Sequence, residues 1–190
     1  MKRGTFQAET GVERDDNRDA RVLFLPTLLR YGITNDFELR VESDVWQHGL
    51  GDGSSWQPVS IGAKYHFRDH PSLGVIGRVF ENGGVWSGDL RLAADVDLNE
   101  RWSINPNIGL AIGERSTSAL GAMTLQYNLS ARLNVFVDGG VQTSPASVLL
   151  DAGTAWVIGN DTQLDASIGW GAHGTATPNV FWSAGISRRF

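Results

Sequence analysis

The chain has 190 residues, with 16 basic and 21 acidic side chains, a net charge of −5 and no cysteine. This length and the absence of a linker suit a single domain over residues 1–190, and without cysteine there are no disulfides or thiolate metal sites. The acidic balance argues against a nucleic-acid partner, and no stretch approaches the roughly 18 consecutive apolar residues of a membrane-spanning helix.

The chain instead alternates apolar and polar residues in about twelve short runs separated by turn residues, a period typical of β-strands with one apolar face. The clearest runs are 89–98, 102–112, 133–138 and 163–170. Pro26 and Pro106 lie inside runs, where each removes a ladder hydrogen bond, so we expect local bulges there.

Two kinds of connection alternate along the chain. Tight turns are expected at 34–36, 69–71, 99–100, 130–131 and 160–161, and looser segments at 14–19, 47–55, 81–85, 114–117, 142–146 and 173–178. An even number of strands places both termini on the tight-turn side. The pattern predicts an all-β fold, namely a closed antiparallel barrel of about 12 strands in an up-and-down meander.

Alternation alone is compatible with two kinds of barrel, which differ in the direction that the apolar face points. In a soluble lipid-binding barrel the apolar face points inward, whereas in a membrane barrel it points outward. A barrel of about twelve strands encloses a lumen too wide for Leu, Val and Ala to fill. The polar face is also rich in small residues that suit a crowded lumen, so we favour a transmembrane β-barrel with a polar lumen.

Aromatic residues cluster near the ends of the runs, where amphipathic rings would lie at the two membrane interfaces. The predicted interface residues are Tyr31, Tyr65, Phe67, Trp102, Tyr127, Trp156 and Phe190 on the tight-turn side and Trp170 and Trp182 on the other. Ordinary packing within hairpins is the alternative explanation for these positions.

With the polar parity inward, a set of charged residues is predicted to line the lumen and the permeation path. The set is Arg30, Glu38, Arg40, Glu42, Lys64, His66, Arg78, Asp89, Arg91, Asp95, Asp138, Asp151 and Asp165. Its first part mixes both signs, which allows cross-strand ion pairs. Its last part is acidic, which predicts a preference for cations or neutral solutes.

The last run, from Val180 to Phe190, resembles the C-terminal signature that the outer-membrane assembly machinery reads, with Phe190 as the assembly signal. Arg188 stands where such signatures often carry a second aromatic residue, and we expect it to reach the headgroups. The resemblance implies the bacterial outer membrane, with both termini in the periplasm and with membrane lipids and that machinery as partners.

The chain also resembles the outer-membrane transporter-like barrels named for the MetA pathway of phenol degradation. The similarity lies in Leu28–Ile33 with Phe37–Arg40, in Trp102–Gly109, in Leu164–Gly171 and in Ser187–Phe190, and spans nearly the whole chain. It implies a barrel associated with the passage of small molecules, aromatic ones among them.

We therefore expect a passive channel or facilitator for small aromatic or hydrophobic molecules, not an enzyme, with no cofactor and no metal. One alternative is a structural barrel whose lumen is closed by ion pairs. Another is a lipid hydrolase whose Ser, His and Asp would meet on the lipid-facing side, but the parity places His66 inside and shows no such triad.

Overall fold

The computed structural model describes residues 1–17, 20–49, 53–114, 116–174 and 177–190. Within these residues no helix has the length and apolarity needed to cross a bilayer, a result that does not bear on crossing by strands. The strands of the described residues are β1 (Phe6–Asp16), β2 (Arg21–Phe24), β3 (Thr27–Gly32), β4 (Phe37–Ser43), β5 (Trp46–Gly49), β6 (Gly53–Trp56), β7 (Ser60–Asp69), β8 (Ser72–Asn82), β9 (Val85–Asp97), β10 (Trp102–Ile112), β11 (Thr117–Asn128), β12 (Leu133–Thr143), β13 (Ala146–Ile158), β14 (Thr162–His173) and β15 (Val180–Arg189).

Twelve of these strands, β1, β3, β4 and β7 to β15, form a closed antiparallel ring. The ring closes between the first and last strands, where β1 pairs with β15 from Gln7 opposite Arg189 to Asp16 opposite Val180. Each other strand pairs with the next ring strand along the chain. The predicted closed antiparallel barrel of about twelve strands with up-and-down order is confirmed.

Three of the ring strands are interrupted and continue beyond the interruption as shorter strands. β2 keeps the register of β3 against β1, since Glu13 faces Phe24 and Thr10 faces Thr27. β5 likewise continues β4, and β6 continues β7. The second interruption contains Val45 with a φ of 40°. The looser segment predicted at 47–55 was therefore wrong for the residues that form β5 and β6, while 50–52 lie outside the described residues.

The tight turns were placed correctly, since the segments between β3 and β4, β7 and β8, β9 and β10, β11 and β12, and β13 and β14 share one end of the barrel with both termini. We call this the turn end and the opposite end the hairpin end. The predicted contrast with looser segments is wrong in two places, because 83–84 and 144–145 are two-residue connections. Gly83 and Gly84 both have positive φ, 61° and 87°, as a tight hairpin turn requires. Residues 18–19, 115 and 175–176 of the looser segments lie outside the described residues.

The two strand prolines behave differently. Pro26 lies between β2 and β3 and interrupts the strand, but the register against β1 is the same on both sides of it, so the expected bulge at Pro26 was wrong. Pro106 lies within β10, and the register against β9 is the same before it, at Ile104 opposite Val96, as after it, at Asn107 opposite Ala93. A bulge at Pro106 was therefore the wrong expectation, since the strand loses ladder contacts there without inserting a residue.

Most of the apolar strand residues point outward. Ile108 is 63% exposed and Met123 is 54% exposed, and among the described apolar residues only Ala155 is buried. A barrel with this exterior needs lipid around it, because such a continuous apolar surface has no stable place in water. The fold is a transmembrane β-barrel, and the soluble barrel with inverted faces is excluded.

We expect Met123→Arg to lower the free energy of unfolding by about 2–4 kcal/mol, because Met123 lies mid-strand on the lipid-facing side. The matched control is Thr124→Arg, one residue further, where the hydroxyl contacts Asp138 at 3.1 Å on the inner face and an arginine could pair with that carboxylate. Urea unfolding in lipid vesicles measures both. Equal losses for the two variants would contradict the assignment of the faces.

Candidate functional site

The inner face of the barrel encloses two cavities along its axis. The one towards the hairpin end has a volume of about 590 Å³, and the one at the turn end about 810 Å³. The first is lined by residues that include Glu9, Glu42, Asp44, Phe80, Asp165 and Ser183, the second by Gln7, Arg30, Glu38, Lys64, His66 and Asp95. The two linings share no residue, and on β1 the boundary between them falls between Gln7 and Glu9.

Side chains of alternating charge contact one another along the inner wall, starting at Glu9 on β1. We call this row of contacts the ion-pair chain, and its members are, in order, Glu9, Arg30, Glu38, Arg40, Glu42, Arg78, Asp89 and Arg91. Arg30 Nη1 lies 3.2 Å from Glu9, and Arg30 Nε lies 3.0 Å from Glu38. Arg40 then bridges two carboxylates, with Nη1 3.5 Å from Glu38 and Nε 2.9 Å from Glu42. Glu38 is only 2% exposed, and its buried charge is compensated by two guanidinium groups and by the α-amino group of Met1, 3.7 Å from Glu38 Oε2.

The ion-pair chain continues over β7 to β8 and β9. Arg78 lies 2.6 Å from Glu42 and 2.6 Å from Asp89, and Arg91 Nε lies 2.9 Å from Asp89. Arg78 can reach across β7 because Gly62 faces it there, and a Cβ on Gly62 would come within 3.0 Å of Arg78 Cγ. Four carboxylates and four guanidinium groups thus alternate from Glu9 to Arg91, and their charges cancel.

The opposite part of the wall is acidic and polar. Asp138 on β12 and Asp151 on β13 face each other directly, and Thr124 donates a hydrogen bond to Asp138. One carboxylate oxygen of Asp151 is buried without a hydrogen-bond partner. Asp165 on β14 lies beside Gly185, where an added Cβ would come within 2.8 Å of its carboxylate. Across the described residues, no ion pair joins β10 to β14 with the ion-pair chain.

Three residues of the predicted lumen set lie apart from the ion-pair chain, at the turn end. The ring nitrogens of His66 lie 3.8 Å from Asp36 and 3.7 Å from Asp69. Asp95 accepts a hydrogen bond of 2.7 Å from Asn105. Lys64 faces Glu38 in the register between β4 and β7 and lines the turn-end cavity. The structure therefore brings together seven residues of the set in the ion-pair chain, and their role in permeation stays a prediction.

Glu9, the eighth member of the ion-pair chain, and four inner aromatic side chains were not among the predicted lumen residues. The register places Phe24, Phe80, Phe136 and Phe181 on the same parity as the lumen charges. Glu9 could have been found, because the polar residues of β1 alternate at odd positions. The phenylalanines could not, because an apolar residue of the inner parity looks like an interruption of the pattern.

The predicted interface aromatics lie on the outer face near the strand ends. Trp102 packs on Tyr127 with ring centroids 4.7 Å apart, and Arg101 donates a 3.0 Å hydrogen bond to the Tyr127 hydroxyl. Phe190 packs 5.8 Å from Phe6. The exposed fractions of the others are 45% for Tyr31, 54% for Tyr65, 49% for Phe67, 53% for Trp156, 49% for Trp170 and 37% for Trp182. A cross-strand pair at the hairpin end, Trp46 opposite Trp56, was missed because both flank a segment read as a loop.

The chain belongs to the family whose model is described as "Putative MetA-pathway of phenol degradation", which matches residues 2–190. No curated relative matches the sequence. Among solved structures, the barrel is similar to the COG4313 outer membrane channel from Pseudomonas putida F1, at 13% identity and a TM-score of 0.78, covering 100% of this chain and 97% of that one.

Two further solved barrels share the fold. A structure described as the KdgM porin has 10% identity and a TM-score of 0.73, with 97% of this chain and 99% of that one covered. A structure described as the CymD monoaromatic hydrocarbon channel has 10% identity and a TM-score of 0.58, with 100% and 89% covered. At these identities the likeness establishes the shared fold.

We expect Arg78→Gln to lower the free energy of unfolding by about 2–3 kcal/mol, because it leaves Glu42 and the buried Asp89 each with one fewer partner. Arg91→Gln is the matched control and should cost less than half as much, since Asp89 keeps Arg78. Urea unfolding of both variants in vesicles measures the difference. Equal losses of unfolding free energy for the two variants would show that Arg78, which pairs with two carboxylates, contributes no more to stability than Arg91, which pairs with one.

Proposed function

We propose that this protein is a passive outer-membrane channel for small molecules. The observation that carries the proposal is the arrangement of the lumen, in which the ion pairs lie along one side of the wall and leave two cavities stacked on the barrel axis. Charges that interlocked across the bore would close it, but these pair with neighbours along the wall. The names of the similar barrels, a porin and a monoaromatic hydrocarbon channel, support the same function.

The charge distribution favours cations and neutral solutes over small free anions. The ion-pair chain contributes no net charge, whereas Asp138, Asp151 and Asp165 on the opposite wall have no basic partner among the described residues. Uncompensated carboxylates in a narrow aqueous path raise the local concentration of cations.

We expect single-channel currents in KCl, with a reversal potential in a salt gradient that indicates K⁺ preferred over Cl⁻. The double variant Asp138→Asn, Asp151→Asn should reduce this preference because it removes two unpaired lumen charges. Glu100→Gln, which removes one exposed charge in a turn, is the control and should keep the preference. A protein that inserts into bilayers yet carries no current would refute the channel and favour a barrel closed by its charges.

We further propose that the turn end faces the periplasm, with both termini there, and that Phe190 carries the assembly signal. Basic and aromatic side chains alternate at this end, as in Arg101 beside Tyr127, and Arg188 lies over the Phe190 ring at 5.2 Å. Such groups suit phosphate headgroups and the membrane interface. Outer-membrane barrels generally have their short turns on the periplasmic side.

Orientation can be measured with single cysteines, since the chain has none of its own. We expect Ser144→Cys, in the turn between β12 and β13, to react with a membrane-impermeant maleimide on intact cells. Ser130→Cys, in the turn between β11 and β12, should react only after the outer membrane is permeabilised. The reverse pattern would invert the proposed orientation.

A barrel-borne hydrolase is the alternative from another class. One observation bears on it, because His48 Nδ1 lies 2.9 Å from Ser54 Oγ, and His48 stacks on Trp46 on the outer face. A serine hydrolase also needs a carboxylate or amide that orients the histidine. Among the described residues no such group contacts His48, so we propose that the protein is not an enzyme.

A further inference from the structure

The two ends of the ion-pair chain differ from its interior. Each interior member contacts at least two groups of opposite charge, whereas Arg91, at one end, contacts a single carboxylate among the described residues, that of Asp89. A guanidinium group has five N–H donors, and one carboxylate cannot satisfy them all. Arg91 is 35% exposed at its side chain, so unsatisfied donors are available to a solute in the lumen.

The stem of the Arg91 side chain lies against β10. Gly109 lies opposite Arg91 in the register, and a Cβ on Gly109 would come within 2.9 Å of Arg91 Cγ. The missing side chain leaves the space in which the arginine stem lies. Gly109 therefore allows Arg91, the cationic end of the ion-pair chain, to lie beside β10.

A third cavity, of about 300 Å³, has Arg91 in its lining. Its lining on the lumen side includes Arg91, Asn107, Leu120, Gln142, Ser147 and Leu149. Arg91 is the one charged group in this lining among the described residues, and no carboxylate lines the cavity. Leu120 and Leu149 supply an apolar surface. Asn107 donates one amide N–H to the Asn105 carbonyl oxygen at 3.3 Å, and its amide has a second N–H donor.

We propose that this cavity is a binding subsite for small amphipathic carboxylates, and this rests on the proposed channel function. Arg91 and Asn107 donate hydrogen bonds to the carboxylate, and Leu120 and Leu149 pack against the apolar body of the solute. A guanidinium group matches a carboxylate with two parallel hydrogen bonds. The subsite thereby selects, within a lumen that repels small free anions, those anions that also carry an apolar body.

The probe is benzoate, titrated into the purified full-length protein in detergent and followed by saturation-transfer NMR. We expect saturable binding of benzoate, and Arg91→Gln should raise its Kd about tenfold, the loss typical of a charge-assisted hydrogen-bonded pair. Formate, which lacks the apolar body, should bind more weakly than benzoate, and Leu120→Ala should weaken benzoate without affecting formate. Benzylammonium, with the same ring and the opposite charge, should not depend on Arg91.

Arg189→Gln is the matched control, because it removes the same charge at the turn end, where Arg189 contacts Gln7 at 3.4 Å. Its benzoate affinity should equal that of the unmodified protein, and heat-modifiability on gels shows that each variant is folded. The inference is overturned if benzoate does not bind, or if Arg91→Gln and Arg189→Gln weaken it equally. KCl currents test the channel separately, so binding without conductance would refute the channel function and keep the subsite.

Discussion

Closure of the sheet between β1 and β15 is the constraint on which the rest of the structure depends. In a bilayer no water is available to unpaired backbone groups, so a sheet can span it only if no edge remains free. The pairing from Gln7 with Arg189 to Asp16 with Val180 removes the last two edges. Closure also divides every strand into an outer parity that meets lipid and an inner parity that meets the lumen. The chemistry of the lumen follows from which residues hold the inner positions.

Ion pairing on the inner face depends on glycine as much as on charge. Arg78 contacts Glu42 across β7, and Arg91 lies along β10, because Gly62 and Gly109 present no side chain at the crossing points. An arginine that lies along the wall leaves the bore free, whereas one that projects across it would obstruct it. The two glycines therefore allow the charged side chains of the ion-pair chain to lie along the wall and not across the bore.

Much of the fold could be predicted because a period of two leaves a direct record in the sequence, as in the run from Asp89 to Leu98. The interrupted strands could not, because the break in alternation at 47–55 looks the same in sequence as a loop, although β5 and β6 pair in the register of β4 and β7, the strands they extend. The predicted charged residues lie where parity placed them, but the order of the ion-pair chain depends on reach across strands, which no sequence spacing records. The inner phenylalanines could not be predicted for a related reason, since the identity of a single apolar residue does not indicate whether its side chain faces the lipid or the lumen.

The two ends of the ion-pair chain give the lumen a polarity around its circumference. At the β1 end, Glu9 contacts one arginine and adjoins the wall that carries Asp165, so negative charge accumulates there. At the β9 end, Arg91 contacts one carboxylate and adjoins a cavity that no acidic side chain lines within the described part of the chain. An alternating chain with equal numbers of both signs must end on opposite charges, so neutrality along the chain and polarity between its ends arise from the same arrangement. A solute that carries a charge and an apolar body would therefore meet different surroundings on the two sides of the bore, although the ion-pair chain itself has no net charge.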